Sequence, residues 1–452
     1  IVSILHAVRI TRLASRVIRD LVSGFGEIWS TRVFTQLLSA RGRRPGAVSW
    51  VDARDWVRVD WSALGPAVRW DESRANAAAR VPTDAAATLV ITGFIARTAD
   101  GLQTTLGRNG SDFSASIMGD LLDASEIVIW TDVDGVLSAD PRRVPEATVI
   151  DSLSYHEAME LAYFGAKVIH PATMAPAVAR KIPIWIRNTF AADKPGTLIT
   201  ERPTSVHPVK GITSIDGVAL VNVEGAGMIG VPGTAQRLFG ALREGGISVI
   251  LISQGSSEHS ICFAILQGEA ERTARIVEDA FQAELRGGQI QAVDVVRQCS
   301  ILSVVGDGMA GTPGVASKVF GTLGSAGVNV RAIAQGSSER NISAVISTAD
   351  VRKAINVLHE EFFETTYKQV NLFAASIAIG ELLVAHARFT WFAVAPLLYN
   401  AGIVAGTLLL ADRLGIFAAA VGAVAGAAAH LGVRLVGLLR TDVRLRPQLA
   451  IR

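Results

Sequence analysis

The chain has 452 residues, 50% hydrophobic and 19% charged, and its 43 Lys and Arg against 41 Asp and Glu leave a formal net charge of +2. That length allows about three domains with cores of their own, and the near-neutral balance excludes a dedicated nucleic-acid binder, which needs a basic face. Two cysteines, Cys262 and Cys299, exclude a disulfide scaffold and a multi-cysteine zinc site.

Residues 1–19 carry four Arg and no acid, with apolar residues at loose helical spacing, a pattern shared by transit peptides. TLVITGFIA (88–96) reads as a buried strand ending in a Gly turn, and LGRNGSDFSASIMGDLL (106–122) as a glycine-containing loop opening a helix. The N–H groups at such a helix start favour an anion, and Arg108 adds a bidentate donor for carboxylate or phosphate. EIVIWTDVDGVLSADPR (126–142) gives a buried strand with the turn TDVDG at its C-terminal end, where open α/β sheets bind ligands. Asp132 and Asp134 there suit a ribose or Mg²⁺, or an Asx bond that caps the turn. AMELAYFGAKVIHP (158–171) presents Lys167 after a helix, and PIWIRNT (183–189) and GTLI (196–199) read as further strands.

Two segments then align at an offset of 81 residues, starting at Val231 and Thr312, with 16 of 35 positions identical. Each shows a Pro-Gly helix start, an amphipathic helix, a strand, a QGSSE turn and a second strand. An apolar strand precedes each copy (Val218–Val223 and Ile301–Val305) and a helix follows (Glu269–Leu285 and Asp350–Phe363). The expected unit is βαββα, closing to βαββαβ, twice.

From residue 371 the character changes. Twenty-three charge-free residues lie between Arg388 and Asp412, and twenty between Arg413 and Arg434. Each run is long enough for a membrane-spanning helix. Val370–Ala387 reads as a weak third span or an interfacial helix, and Arg440, Arg444, Arg446 and Arg452 favour the cytoplasmic side of a bilayer.

The repeat pair resembles the ACT domain pair, which senses small amino acids. That resemblance implies an effector site at Gln254 and Gln335, with Asn329 nearby. Taken in order, LGRNGSD, TDVDGV followed by DPR, FGAKVIHP and the double repeat resemble aspartate kinase. The form most resembled is the kinase half of bifunctional aspartokinase–homoserine dehydrogenase, from about residue 5 to 365. Gly26-Glu27-Ile28-Trp29-Ser30 matches that family's Gly-Glu-x-x-Ser helix.

The resemblance implies an amino-acid-kinase-like α/β sandwich over 1–205, ACT domains over 206–298 and 299–366, and a membrane segment over 367–452. It implies transfer of the γ-phosphoryl of MgATP to the β-carboxylate of L-aspartate, with threonine or lysine as effector and homo-oligomers built through the ACT domains. By carry-over Arg108, Glu27, Ser111 and Asp112 would hold aspartate. Thr131, Asp132, Asp134, Val136, Leu137, Asp140 and Arg142 would border the nucleotide, and Lys167 would face the phosphates. Lys167, Arg108 and Asp112 form the catalytic set, and no protein-held metal is expected. The family's opening Lys-Phe-Gly-Gly strand does not occur here, so the sandwich is expected to be incomplete, lacking roughly the first hundred family residues. No dinucleotide-binding motif follows the second repeat. Residues 388–440 instead resemble two consecutive helices of the lipid II flippase family, and the two resemblances join near Thr365–Val370. The implied location is cytoplasmic for 1–366 and the membrane for the tail. An amino-acid-sensing subunit without catalysis and a membrane protein are the alternatives.

Overall fold

The apolar run EIVIW forms the strand Ile127–Thr131, which lies parallel to Ile184–Asn188. Thr197–Thr200 pairs antiparallel with Ile184–Asn188 and parallel with Ser152–Ser154, completing a four-stranded sheet. The computed structural model describes residues 1–41, 48–62, 65–82, 87–164, 171–204, 207–255, 259–363, 389–414 and 417–439. The expected strands at PIWIRNT and GTLI are both present. Ile184, Ile186, Ile199 and Leu153 are fully buried, as alternation against packed helices requires. The helix Tyr155–Tyr163 starts at a capping box, with Ser154 and Glu157 satisfying each other's backbone amides.

N-terminal to this sheet, Val48–Val51 and Thr88–Ile91 form a parallel pair. A second four-stranded sheet runs in the order Gly65–Val68, Arg58–Ser62, Ile95–Thr98, Gln103–Thr105. The helix Arg16–Arg41 is fixed against both. Trp50 Nε1 donates to Thr31 Oγ1 at 3.0 Å, and Asp20 accepts from the hydroxyls of Thr104 (2.9 Å) and Thr105 (3.2 Å). The Arg-rich start forms a separate helix, Val2–Thr11, with no buried residue.

The repeats build one six-stranded sheet, and its topology differs from two self-contained units. Two strands of 14 residues, Gly211–Glu224 and Ala292–Val305, run antiparallel through its middle and serve both repeats. Val218–Glu224 pairs with the first repeat's Ser260–Leu266. Gly211–Ile215 pairs with Ile301–Val305, so the sixth strand beside the second repeat comes from upstream of the first. The core of the second repeat accordingly contains Val209 and Ile212. Register shifts between Ile215 and Leu220 bend the long strand where it changes repeats. The outer strands, Leu251–Gln254 and Val330–Gln335, approach each other, and Ser253 Oγ donates to the Ile333 carbonyl at 2.9 Å. Cys262 and Cys299, both free thiols, lie in one apolar cluster with Phe164, Leu220, Leu251, Ile301 and Val345.

Residues 1–363 form one unit, and the tail belongs to another. Both expected tail helices form, Phe389–Leu414 and Phe417–Leu439, and they pack on each other as a hairpin. A Cβ on Gly426 would lie 2.4 Å from the Tyr399 carbonyl oxygen, so the two backbones touch there. The expectation of membrane spans is overturned: among the described residues no helix is long and apolar enough to cross a membrane. Pro396 lies inside the first helix. His430 and Arg434 are buried along the second, breaking the apolar run with groups that hydrocarbon penalises. The third span at 370–387, the join at 365–370 and the Arg cluster from Arg440 onward lie outside the described residues.

Candidate active site

Three elements meet at the turn Thr92–Phe94. The buried Thr92 hydroxyl accepts from Ala53 N at 2.8 Å, which sets this turn against the end of the parallel partner strand. Phe94 adopts φ 64, and its N–H donates to Ser114 Oγ at 2.8 Å, tying the turn to the helix Gly110–Leu121. Gly93 sits between two expected site residues. A Cβ there would lie 3.5 Å from Glu27 Oε2 and 3.8 Å from Ser111 Oγ. Glu27, from a helix more than 80 residues upstream, thus faces Ser111 across bare backbone.

The loop before that helix is built for an anion. Asn109 at the N-cap is left-handed (φ 55) and makes no side-chain capping bond; the Gly110 N–H donates to the Gly107 carbonyl at 3.2 Å, and the positive end of the helix dipole lies at this start. Arg108 is exposed, with no ion pair among the described residues. Asp112 lies in the first turn. Burial raises its carboxyl above the ordinary value, partly opposed by the Asn109 amide 3.5 Å away. The pairing of a carboxylate (Glu27) with a guanidinium (Arg108) suits a ligand carrying both an ammonium and a carboxylate. Close by, Asp52 caps the short helix Ala53–Trp56 and holds Arg54. Burial pushes the Asp52 carboxyl up, but the Arg54 hydrogen bonds and charge outweigh this and leave it below its ordinary value. Neither the Asp52–Arg54 pair nor the place of Gly93 between two site residues is evident from local pattern; the Gly turn after the buried strand is the available signal.

The second group of expected residues follows the strand Ile127–Thr131. Thr131 Oγ1 contacts Asp132 at 3.2 Å, and the Asp132 side chain is exposed with no cation beside it among the described residues. Asp134 accepts from Asn188 Nδ2 and Lys194 Nζ, each at 2.6 Å, and these bonds hold its carboxyl below the ordinary value. Val136 is buried; its N–H donates to Thr197 Oγ1 and its carbonyl accepts from Ile150, which commits its backbone to the fold. Leu137 bridges to Val149. Asp140 and Arg142 bind each other through three hydrogen bonds of 2.8–3.0 Å. Lys194, Asn188 and Thr197 were not flagged by sequence, because their partners lie 54 to 61 residues away. Lys167 lies outside the described residues.

In the repeats, Gln254 lines a cleft of about 340 Å³ with Met228, Val231, Gly233, Thr234 and Ile261, at the start of the helix Thr234–Glu244. Asn329 and Gln335 are exposed on the second repeat, at the two ends of its outer strand. The Ser253–Ile333 hydrogen bond places Gln254 and Gln335 on neighbouring edges.

The amino acid kinase family matches residues 5–188, and the ACT domain matches 221–281 and 302–362. The chain is 43% identical over 368 residues to a bifunctional aspartokinase/homoserine dehydrogenase 2, chloroplastic, from Arabidopsis thaliana. It is a homologue of the aspartokinases. That match covers 80% of this chain and 40% of the relative, so the chain spans about two fifths of the length of the bifunctional curated relatives it matches. E. coli aspartokinase III, solved in complex with aspartate and ADP (R-state), superposes with a TM-score of 0.65 at 28% identity over 80% of each chain. The same enzyme in complex with lysine and aspartate (T-state) gives 0.63 at 29% identity, covering 78% of this chain and 77% of that one. The family matches end at residue 362, and the transporter resemblance of this chain's tail finds no support in them.

Proposed function

We propose that this chain carries the aspartate-phosphorylating and amino-acid-sensing parts of an aspartokinase. It transfers the γ-phosphoryl of ATP to the β-carboxylate of L-aspartate. The observation that carries this reading is the meeting of Glu27, Gly93 and Ser111 at a helix start without a side-chain cap, preceded by the exposed Arg108. In this reading Arg108 binds a carboxylate of aspartate, Glu27 its ammonium, and Ser111 and Asp112 line the pocket between. Thr131, Asp132, Asp134, Asp140 and Arg142 border the nucleotide beside the Val136–Leu137 segment, and Lys167 faces its phosphates. A β-carboxylate oxygen bonds to the γ-phosphorus as the bond to the leaving ADP oxygen breaks. The transition state spreads negative charge over the phosphoryl oxygens, so fixed cations and in-line positioning do the work and no covalent nucleophile is needed. The exposed Asp132 carboxylate suits Mg²⁺ or a ribose hydroxyl arriving with the nucleotide.

The parts assign as 1–205 for the kinase, 206–298 and 299–366 for the two ACT regions and 367–452 for the tail. Threonine or lysine is the effector, Gln254 and Gln335 supply amide contacts with Asn329 nearby, the ACT sheet mediates homo-oligomers, and residues 1–366 work in the cytoplasm. The test is an aspartyl-hydroxamate assay on the full chain. Product should require ATP, Mg²⁺ and aspartate together, and Arg108→Ala should cut it about 100-fold or more. Folded protein that forms no product contradicts the catalytic reading.

A further inference from the structure

The segment that carries Asp140 and Arg142 has its back in the core of the second repeat. Ala139 and Val144 are buried in one cluster with Val351, Ala354, Ile355 and Leu358 of the helix Val351–Phe363. Polar contacts fix the same junction. The Ser138 hydroxyl and His359 Nε2 are 2.9 Å apart, both side chains being at most 2% exposed. Ser138 Oγ also accepts from Thr148 N at 3.0 Å, and its carbonyl accepts from Ile212 N at 2.8 Å. Asn356 Nδ2, one turn before His359, donates to the Arg143 carbonyl at 3.2 Å. Arg143 in turn reaches Ser214 Oγ (2.9 Å) and pairs with Asp216. His359 stacks on Phe363, with ring centroids 4.8 Å apart, which fixes the imidazole plane.

The internal repeat supplies a control. At the offset of 81, His359 corresponds to Glu278 and Asn356 to Arg275, and both first-repeat residues are exposed. The ACT fold itself therefore does not bury this helix position or demand a hydrogen-bonding side chain there. Contact with the kinase part does.

We propose that His359 is a positioning residue for the nucleotide side of the active site: through Ser138 it fixes the segment 136–144, so that displacement of the second repeat's last helix changes nucleotide affinity. This rests on the reading of 131–142 as the nucleotide border. A histidine serving only as core filler would affect overall stability and both substrates alike.

The test uses the full chain, with hydrogen exchange read by mass spectrometry and separate titrations with ADP–Mg²⁺ and aspartate. His359→Phe keeps the stacking volume and removes the hydrogen bond, His359→Gln restores a polar partner, and Ser138→Ala removes the bond from the other side together with the acceptor of Thr148 N–H, so that amide is left out of the comparison. In His359→Phe and Ser138→Ala, amides of 136–150 should exchange about tenfold faster while those of 218–224 do not change. ADP should bind about tenfold more weakly and aspartate within about twofold of wild type, with His359→Gln falling between. Unchanged exchange over 136–150 in both variants overturns the proposal, as does equal weakening of ADP and aspartate. Wild-type protein that binds no ADP contradicts the nucleotide reading itself and the proposal with it. ADP binding that both variants leave unchanged overturns the proposal alone. Should His359→Phe not fold, Ser138→Ala decides.

Discussion

Where the second repeat places His359 at 2% exposure against Ser138, the first places the exposed Glu278. Where the second has Asp307, whose N–H donates to Glu157 at 2.7 Å, the first has Ala226 in a turn held by its own neighbour Gln289. The helices, strands and buried apolar positions otherwise correspond, with Leu242 and Leu323 both at 0–1% exposure. A duplicated unit thus keeps the apolar pattern that folds it, and its surface positions follow whatever covers them. The second repeat is covered by the kinase part. The first leaves open a cleft of about 340 Å³ beside Gln254.

The largest effect should come from removing the tie that only the second repeat has. Glu157→Ala strands the amides of Ser154 and Asp307, which its carboxylate now satisfies. A loss of about 3 kcal/mol is expected in denaturant unfolding. Burial raises the Glu157 carboxyl above its unfolded value of 4.5, only partly offset by those amides and by Lys210. The native state therefore holds that proton more tightly than the unfolded chain. The group's contribution to stability falls as pH rises through the window just above 4.5, and Glu157→Gln should flatten that part of the pH profile.

Next comes the matched pair. His359→Ala should cost about 2 kcal/mol, and Glu278→Ala should stay within about 0.5 kcal/mol, compared by the same unfolding assay. Equal costs would mean that the repeats are buried alike. For the ligand side, Gln254→Ala should weaken binding of the effector amino acid about tenfold by calorimetry and leave the unfolding midpoint unchanged. The smallest effect belongs to the meeting of the two sheet edges. Ser253 is half-buried and makes a single side-chain bond across that meeting, and Ser253→Ala should cost under about 1 kcal/mol.

Much of this organisation was legible from local pattern. The strands at 127–131, 184–188 and 197–200, the helix after LGRNG and the duplication all follow from period and turn chemistry. The crossing of Gly211–Ile215 into the second repeat was not legible, because it depends on pairing with residues about 90 positions away. Separations of 84 and 60 positions likewise hid the approach of Glu27 to Ser111 across Gly93 and the Lys194 grip on Asp134. In the tail, the length of the charge-free runs gave the helices but not their setting. His430 is a single polar letter inside the second run and Arg434 closes it, and the burial of both is a tertiary fact.

The most direct measurement is an ADP–Mg²⁺ titration of the full chain with and without saturating L-threonine or L-lysine. If the second repeat sets the nucleotide segment, the bound effector should shift ADP affinity by about fivefold or more, and His359→Phe should abolish most of that shift. An effector that binds while the ADP curve stays put in wild-type protein would contradict the account.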